Sequence, residues 1–235
     1  MLTLEGLNVT IQTSHILKEV SLTVAERQLV CLIGRNGAGK TTTLRTIMGY
    51  HVPQSGTVVF QGRDITGLPT YDIAQIGLGF APEDSGVFGN LTVAENIALA
   101  TWTRLTPRPA QDRIALAYTV FPGLRRYEQR KGMQLSGGER KMLSIARALA
   151  LDADLLLLDE PFEGISPAVI PTISDGIYAI TRMGRAILLA ESNIHHVPPY
   201  TDRLYVIERG EIIFAGKPAE VYAHQHVLRI IAGML

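Results

Sequence analysis

The stretch GRNGAGKT, Gly34 to Thr41, sets three glycines, a lysine and a threonine at the spacing of a phosphate-binding loop, directly after the apolar run LVCLI. Gly34, Gly37 and Gly39, with Arg35, Asn36 and Ala38 between them, let the main chain curl so that successive N–H groups point at phosphate oxygens. The helix that follows adds the positive end of its dipole. Lys40 is placed to reach the terminal phosphates, Thr41 to put its hydroxyl on Mg²⁺, and Thr42 to donate to a further phosphate oxygen. A second chemical signal is LLLLDEP, where a buried strand carries Asp159 and Glu160 to its carboxyl end, the edge at which open α/β sheets hold ligands. Asp159 would hold Mg²⁺ through water, and Glu160 would orient or deprotonate the water attacking the terminal phosphate. A strand ending in Asp-Glu is often only a solvated strand end. The phosphate loop upstream is what turns it into a hydrolytic reading.

LSGGE, Leu135 to Glu139, is the third signal: Ser136 sits where a helix N-cap belongs, and Gly137 and Gly138 follow it with N–H groups open to an anion. In isolation it reads as a capped helix, with Met142, Ile145 or Ala146, and Leu149 on one apolar face. The stretch ILLAESNIHH is a buried strand ending in Glu191, Ser192 and Asn193. His195 and His196 lie beyond it without the Cys or Asp cluster of a metal centre, and are expected at a surface or interface.

Elements able to position these residues alternate along the chain. LTLEGLNVTI, VSLTV and LVCLI read as strands, TTTLRTIMG as a helix closed at Gly49, and LGFAP as a further strand. From Leu91 to Leu149 the pattern is helical, broken at TPRPAQ by two prolines. LLLLDEP, AILLAES and RLYVIERGEIIFAG are strands again, the last a pair joined at Arg209-Gly210. Apolar runs without alternation suit parallel strands covered on both faces, so the fold class is α/β, a core interrupted by a helical insertion.

Composition narrows the function. Lys plus Arg and Asp plus Glu number 22 each, so no overall field favours nucleic acid or an anionic membrane. The single cysteine, Cys31, cannot form an internal disulfide and reads as a small core residue. The first ten residues lack the basic flank and apolar stretch of an export signal. No apolar run approaches the roughly 20 residues that cross a bilayer, so a membrane role would come through a partner.

The order phosphate loop, LSGGE, LLLLDEP resembles the ATP-binding cassette (ABC) proteins over nearly the whole chain. The resemblance implies a P-loop NTPase (RecA-like) core with an N-terminal antiparallel β subdomain and an inserted α-helical subdomain. It implies one ABC domain over 1–235: core at 1–82 and 155–217, helical insertion with the signature at 83–154, and a C-terminal helix at 218–235. It also implies an ATPase using ATP and Mg²⁺, in a head-to-tail dimer where Ser136, Gly137 and Gly138 close over the neighbour's ATP. GRDITGLP, Ala81-Pro82-Glu83, NLTVAENIALA and LLLLDEPFEGISP are similar to the branched-chain amino-acid importer ATPases of the LivF type. For these the resemblance implies a second, non-identical ATPase as partner, membrane permease subunits holding the pair at the inner face of the membrane, a solute-binding protein acting indirectly, and no nucleic acid.

Set against that family, Glu83 stands where ABC ATPases generally carry a glutamine that touches Mg²⁺, and its carboxylate is an eligible ligand. Asp84-Ser85-Gly86 replaces a basic segment, predicting a less electrostatic contact with the membrane subunit. Ile11 aligns with the aromatic residue that stacks the base, and Ser192 with the histidine that contacts the terminal phosphate. Two rivals keep the fold: a regulatory nucleotide-binding subunit with weak hydrolysis, and a non-transport ABC ATPase.

Overall fold

A computed structural model describes residues 1–232. In chain order the elements are β1 (Leu2–Ile11), β2 (Ser14–Val24), β3 (Leu29–Ile33), α1 (Lys40–Ile47), β4 (Ser55–Phe60), β5 (Arg63–Asp64), α2 (Thr70–Gln75) and β6 (Leu78–Ala81). They continue with α3 (Val93–Ala100), α4 (Ala110–Val120), α5 (Gly137–Ala150), β7 (Leu155–Asp159), α6 (Ile170–Arg182) and β8 (Ala186–Glu191). The last are β9 (Arg203–Glu208), β10 (Glu211–Gly216), α7 (Pro218–Val221) and α8 (Gln225–Ala232). Two compact units form: Met1–Ile73 with the chain from Ala186 on, and Ala74–Arg185.

The first unit holds an antiparallel sheet of order β2-β1-β4-β5. In β1 the buried residues are Leu2, Leu4, Leu7 and Val9. The step of three between Leu4 and Leu7 would turn the second half of the strand outward, but the pairing with β2 shifts register there. This bulge restores the inward face. The unit's second layer places β3 between β8 and β9, both parallel to it. β3 and β8 are buried at every position, so the continuous apolar runs LVCLI and AILLA are what this placement demands. β10 returns antiparallel to β9 through Arg209 and Gly210, whose φ of 48° and 86° are those of a two-residue hairpin turn.

In the second unit β6 and β7 pair in parallel, and α3, α4 and α5 pack together beside them. α5 departs from the one-sided helix expected. Leu143, Ile145, Ala146, Ala148, Leu149 and Ala150 are buried as well as Met142, because α3 and α4 pack on one side and β6 and β7 on the other. Small residues allow that enclosure. Arg104 and Arg185 both bond Asp154, at 2.9 and 3.2 Å, and Arg185 also bonds Asp152 at 2.5 Å, holding the turn before β7.

α3, α4 and α5 lie inside the 83–154 span expected for the insertion, and the compact unit that holds them also takes in β6, β7 and α6. The segment expected as one C-terminal helix over 218–235 forms α7 and α8, with a break at residues 222–224. Its last three positions lie outside the described residues.

Candidate active site

In the first unit the phosphate loop leaves the buried end of β3 and enters α1. Two glycines are demanded by the surroundings. A Cβ at Gly34 would stand 2.3 Å from the carbonyl oxygen of Ile207, and Gly39 has a φ of 115°. Arg35, Asn36 and Gly37 form the exposed crest of the loop, while Ala38 and Gly39 are buried. Ala38 anchors it by accepting from Gly210 N–H at 2.9 Å, and Gly34 N–H donates to Glu191 O at 3.2 Å. The loop is therefore gripped by the β9–β10 turn and by the end of β8.

Lys40 is 4% exposed, and its ammonium donates to Gly34 O at 2.7 Å and Arg35 O at 3.1 Å. The charge thus sits on the inside of the curl. The threonines that follow divide by role. Thr43 donates to Gly39 O at 2.9 Å and Thr46 to Thr42 O at 2.8 Å, so both serve the helix, whereas Thr41 and Thr42 are half-exposed at its start. Tyr50 N–H bonds Arg45 O and Gly49 N–H bonds Thr46 O, which closes α1 at Gly49 as its sequence indicates.

Ser192 is half-buried and follows directly the residue whose carbonyl accepts from Gly34. Ile11 is half-buried at the β1–β2 hairpin end, paired with Ser14. His195 is exposed as expected; His196 is not turned away. Its Nδ1 lies 3.2 Å from Oε2 of Glu191, whose side chain is fully buried. A buried carboxylate needs a hydrogen-bonding partner, and that requirement draws the histidine back onto the strand end.

The second unit carries Asp159 at the end of β7, 1% exposed, and Glu160 beyond it, 4% exposed with a φ of 48°. Glu83 lies two residues beyond β6 with its side chain exposed. The ammonium of Lys141, on α5, donates to the carbonyls of both Glu83 and Glu160, at 2.7 and 2.6 Å. The structure thus brings Glu83 and Glu160 to one helix. Neither contact was legible in the sequence.

Ser136 is the N-cap of α5. Its Oγ accepts from Glu139 N–H at 3.3 Å, while Glu139 Oε2 accepts from Ser136 N–H at 2.7 Å. This reciprocal cap leaves Ser136 exposed and Gly137 half-exposed, while Gly138 is buried. Burial pushes the Glu139 carboxyl up, but the hydrogen bonds from Ser136 and Tyr127 and the charge of Arg130 bring it below the ordinary value. A depressed carboxylate stabilises the fold above its unfolded pKa, and that contribution is lost as pH falls through the folded value. Glu139→Gln should therefore lower stability at pH 7 by roughly 0.3–1 kcal/mol, the range for a carboxylate at a helix N-terminus. The gap should begin to narrow as pH falls into the ordinary glutamate range and close only once pH has passed below the depressed folded value; unfolding midpoints of both proteins across pH 3–8 check this.

The segment Asp84-Ser85-Gly86 is not without a cation. Arg147 of α5 donates to Gly86 O, and its guanidinium lies 4.7 Å from the centroid of the Phe88 ring. The positive charge missing from the loop sequence is supplied by a helix over sixty residues away.

Residues 17–163 match the ABC transporter family. The chain belongs to the ABC transporter family. This ABC ATPase is 35% identical over the full length of both chains to a probable branched-chain amino acid transport ATP-binding protein LivF of Archaeoglobus fulgidus. It is 40% identical, over 84% of each chain, to the high-affinity branched-chain amino acid transport ATP-binding protein BraG of Pseudomonas aeruginosa. It is also 34% identical, over 99% of this chain and 97% of the relative, to the lipopolysaccharide export system ATP-binding protein LptB of Haemophilus influenzae. Its fold matches that of a nucleotide-free ATP-binding cassette from an ABC transporter, with a TM-score of 0.84 over 98% of each chain at 25% identity. The fold of this ABC ATPase is that of the P-loop NTPases, and its activity is ATP hydrolysis. Among the described residues no helix is long and apolar enough to cross a membrane.

The side chains expected to hold Mg²⁺ are each of the kind that ion takes. Thr41, Glu83 and Asp159 offer only oxygen donors, and among the described residues no group of three or more His, Cys, Asp or Glu forms a cage. An ion that keeps waters and binds through one or two carboxylates plus substrate phosphates needs no cage.

Proposed function

We propose that this subunit drives uptake of branched-chain amino acids or a related small polar solute. The likeness to LivF and BraG carries the reading. In this account the N–H groups of Gly34 to Thr42 and the ammonium of Lys40 bind the triphosphate, and Ile11 covers the base by apolar contact. Thr41, Asp159 and Glu83 would hold Mg²⁺, which when bound neutralises charge on the phosphate oxygens. Glu160 orients and deprotonates the attacking water, and Ser192 assists at the terminal phosphate through its hydroxyl. Ser136, Gly137 and Gly138, at the N-terminus of α5, complete the site of a second, non-identical ATPase subunit. The whole chain acts as one ABC domain, with 83–154 as its helical part and 1–82 and 155–217 as its core. Permease subunits hold the pair at the cytoplasmic membrane face, and a solute-binding protein selects the cargo.

A second reading, lipopolysaccharide export, is favoured by the near-full-length likeness to LptB. The complex co-purified through this chain and reconstituted in liposomes separates them. Leucine presented on its binding protein should raise ATP hydrolysis severalfold; stimulation by lipopolysaccharide and not by amino acid would overturn the import reading.

A further inference from the structure

Lys141 is 7% exposed, in a helix whose neighbouring residues are mostly buried and apolar. Burying an ammonium is costly unless its N–H donors are satisfied. This ammonium donates to Glu83 O at 2.7 Å and to Glu160 O at 2.6 Å. Glu160 is held at a φ of 48°, a left-handed conformation that a non-glycine residue adopts only when its surroundings compel it. Its carbonyl accepts from both Lys141 and Glu163 N–H, the latter at 3.2 Å, and these bonds oppose relaxation of the peptide. On the other side, Glu83 sits in a tight turn in which Ser85 N–H donates to Pro82 O at 2.9 Å. Arg147, further along the same helix, grips that turn again at Gly86 O.

We propose that Lys141 is a positioning residue for hydrolysis: its ammonium locks the strained backbone of Glu160 and ties it to the loop bearing Glu83. Displacement of that loop is then transmitted to the main chain of Glu160 through one side chain. The proposal rests on the role given to Glu160 above. Its ammonium bonds the main chain of the residue assigned to the attacking water, so its signature is a change in kcat without a matching change in KM.

The full-length chain tests it with two substitutions. Lys141→Met keeps the stem and removes the donors, and should lower kcat about tenfold with KM for ATP within about twofold. Lys141→Gln keeps two donors at shorter reach and without charge, and should recover much of that loss. Unchanged kcat in Lys141→Met, equal losses in kcat and 1/KM, or no recovery in Lys141→Gln would overturn the proposal. Should Lys141→Met not fold, Lys141→Gln decides alone: a twofold or greater drop in kcat at unchanged KM supports the role, and native kcat overturns it. Glu160→Gln run alongside separates the failures. If it leaves hydrolysis intact, the reading of Glu160 fails; if it abolishes hydrolysis while Lys141→Met is silent, only the positioning role fails.

Discussion

Replacing Glu160 by glutamine should lower steady-state ATP hydrolysis by about a hundredfold or more while ATP binding survives, since a general base contributes on the order of 10²–10⁴. The substitution preserves size and hydrogen-bonding capacity but removes the charge that takes a proton from water. The carboxylate is 4% exposed and its backbone is fixed by Lys141, so glutamine enters the same place without rearrangement. Binding should be left alone because, in the proposed account, main-chain N–H groups of residues 34–42 and Lys40 hold the triphosphate. Turnover assayed beside calorimetric ATP binding distinguishes the two effects. Ser192→Ala should cost only about two- to fivefold, because a hydroxyl of that reach contributes a neutral or water-bridged hydrogen bond. Equal losses in the two variants would remove Glu160 from its role as base. With Glu160 disabled in the assembled complex, undiminished hydrolysis would identify the chain as the regulatory member of its pair.

Lys40→Ala should weaken ATP binding about ten- to hundredfold, the equivalent of one charge-assisted hydrogen bond of roughly 1.5–3 kcal/mol. The structure adds a second consequence. The ammonium donates to Gly34 O and Arg35 O, so its removal also releases the inner wall of the loop. Glycines at 34, 37 and 39 then leave little side-chain packing to hold the curl. Calorimetry with Mg²⁺ present checks the affinity, and Lys40→Arg shows whether charge alone suffices, since a planar fork cannot reproduce the compact ammonium inside the curl. Native affinity in Lys40→Ala would mean that the phosphates bind elsewhere.

Local chemistry was legible from residue order because its hydrogen bonds join near neighbours. The loop's curl needs glycines within a few positions, Gly49 and Tyr50 close α1 through bonds to Thr46 and Arg45, and Ser136 and Glu139 cap α5 from three residues apart. Buried parallel strands were likewise readable, since β3, β7 and β8 are apolar throughout or nearly so. Tertiary structure alone decided the rest. Lys141 reaches 58 residues back to Glu83 and 19 forward to Glu160, and Arg147 reaches 61 back to Gly86. Those partners are chosen by how helix and strand ends pack, which no spacing encodes. The same holds for His196, which a buried Glu191 pulls inward, and for α5, whose enclosure depends on helices contributed by other parts of the chain. A sequence specifies which groups a segment can offer; packing determines which of the distant groups meet them.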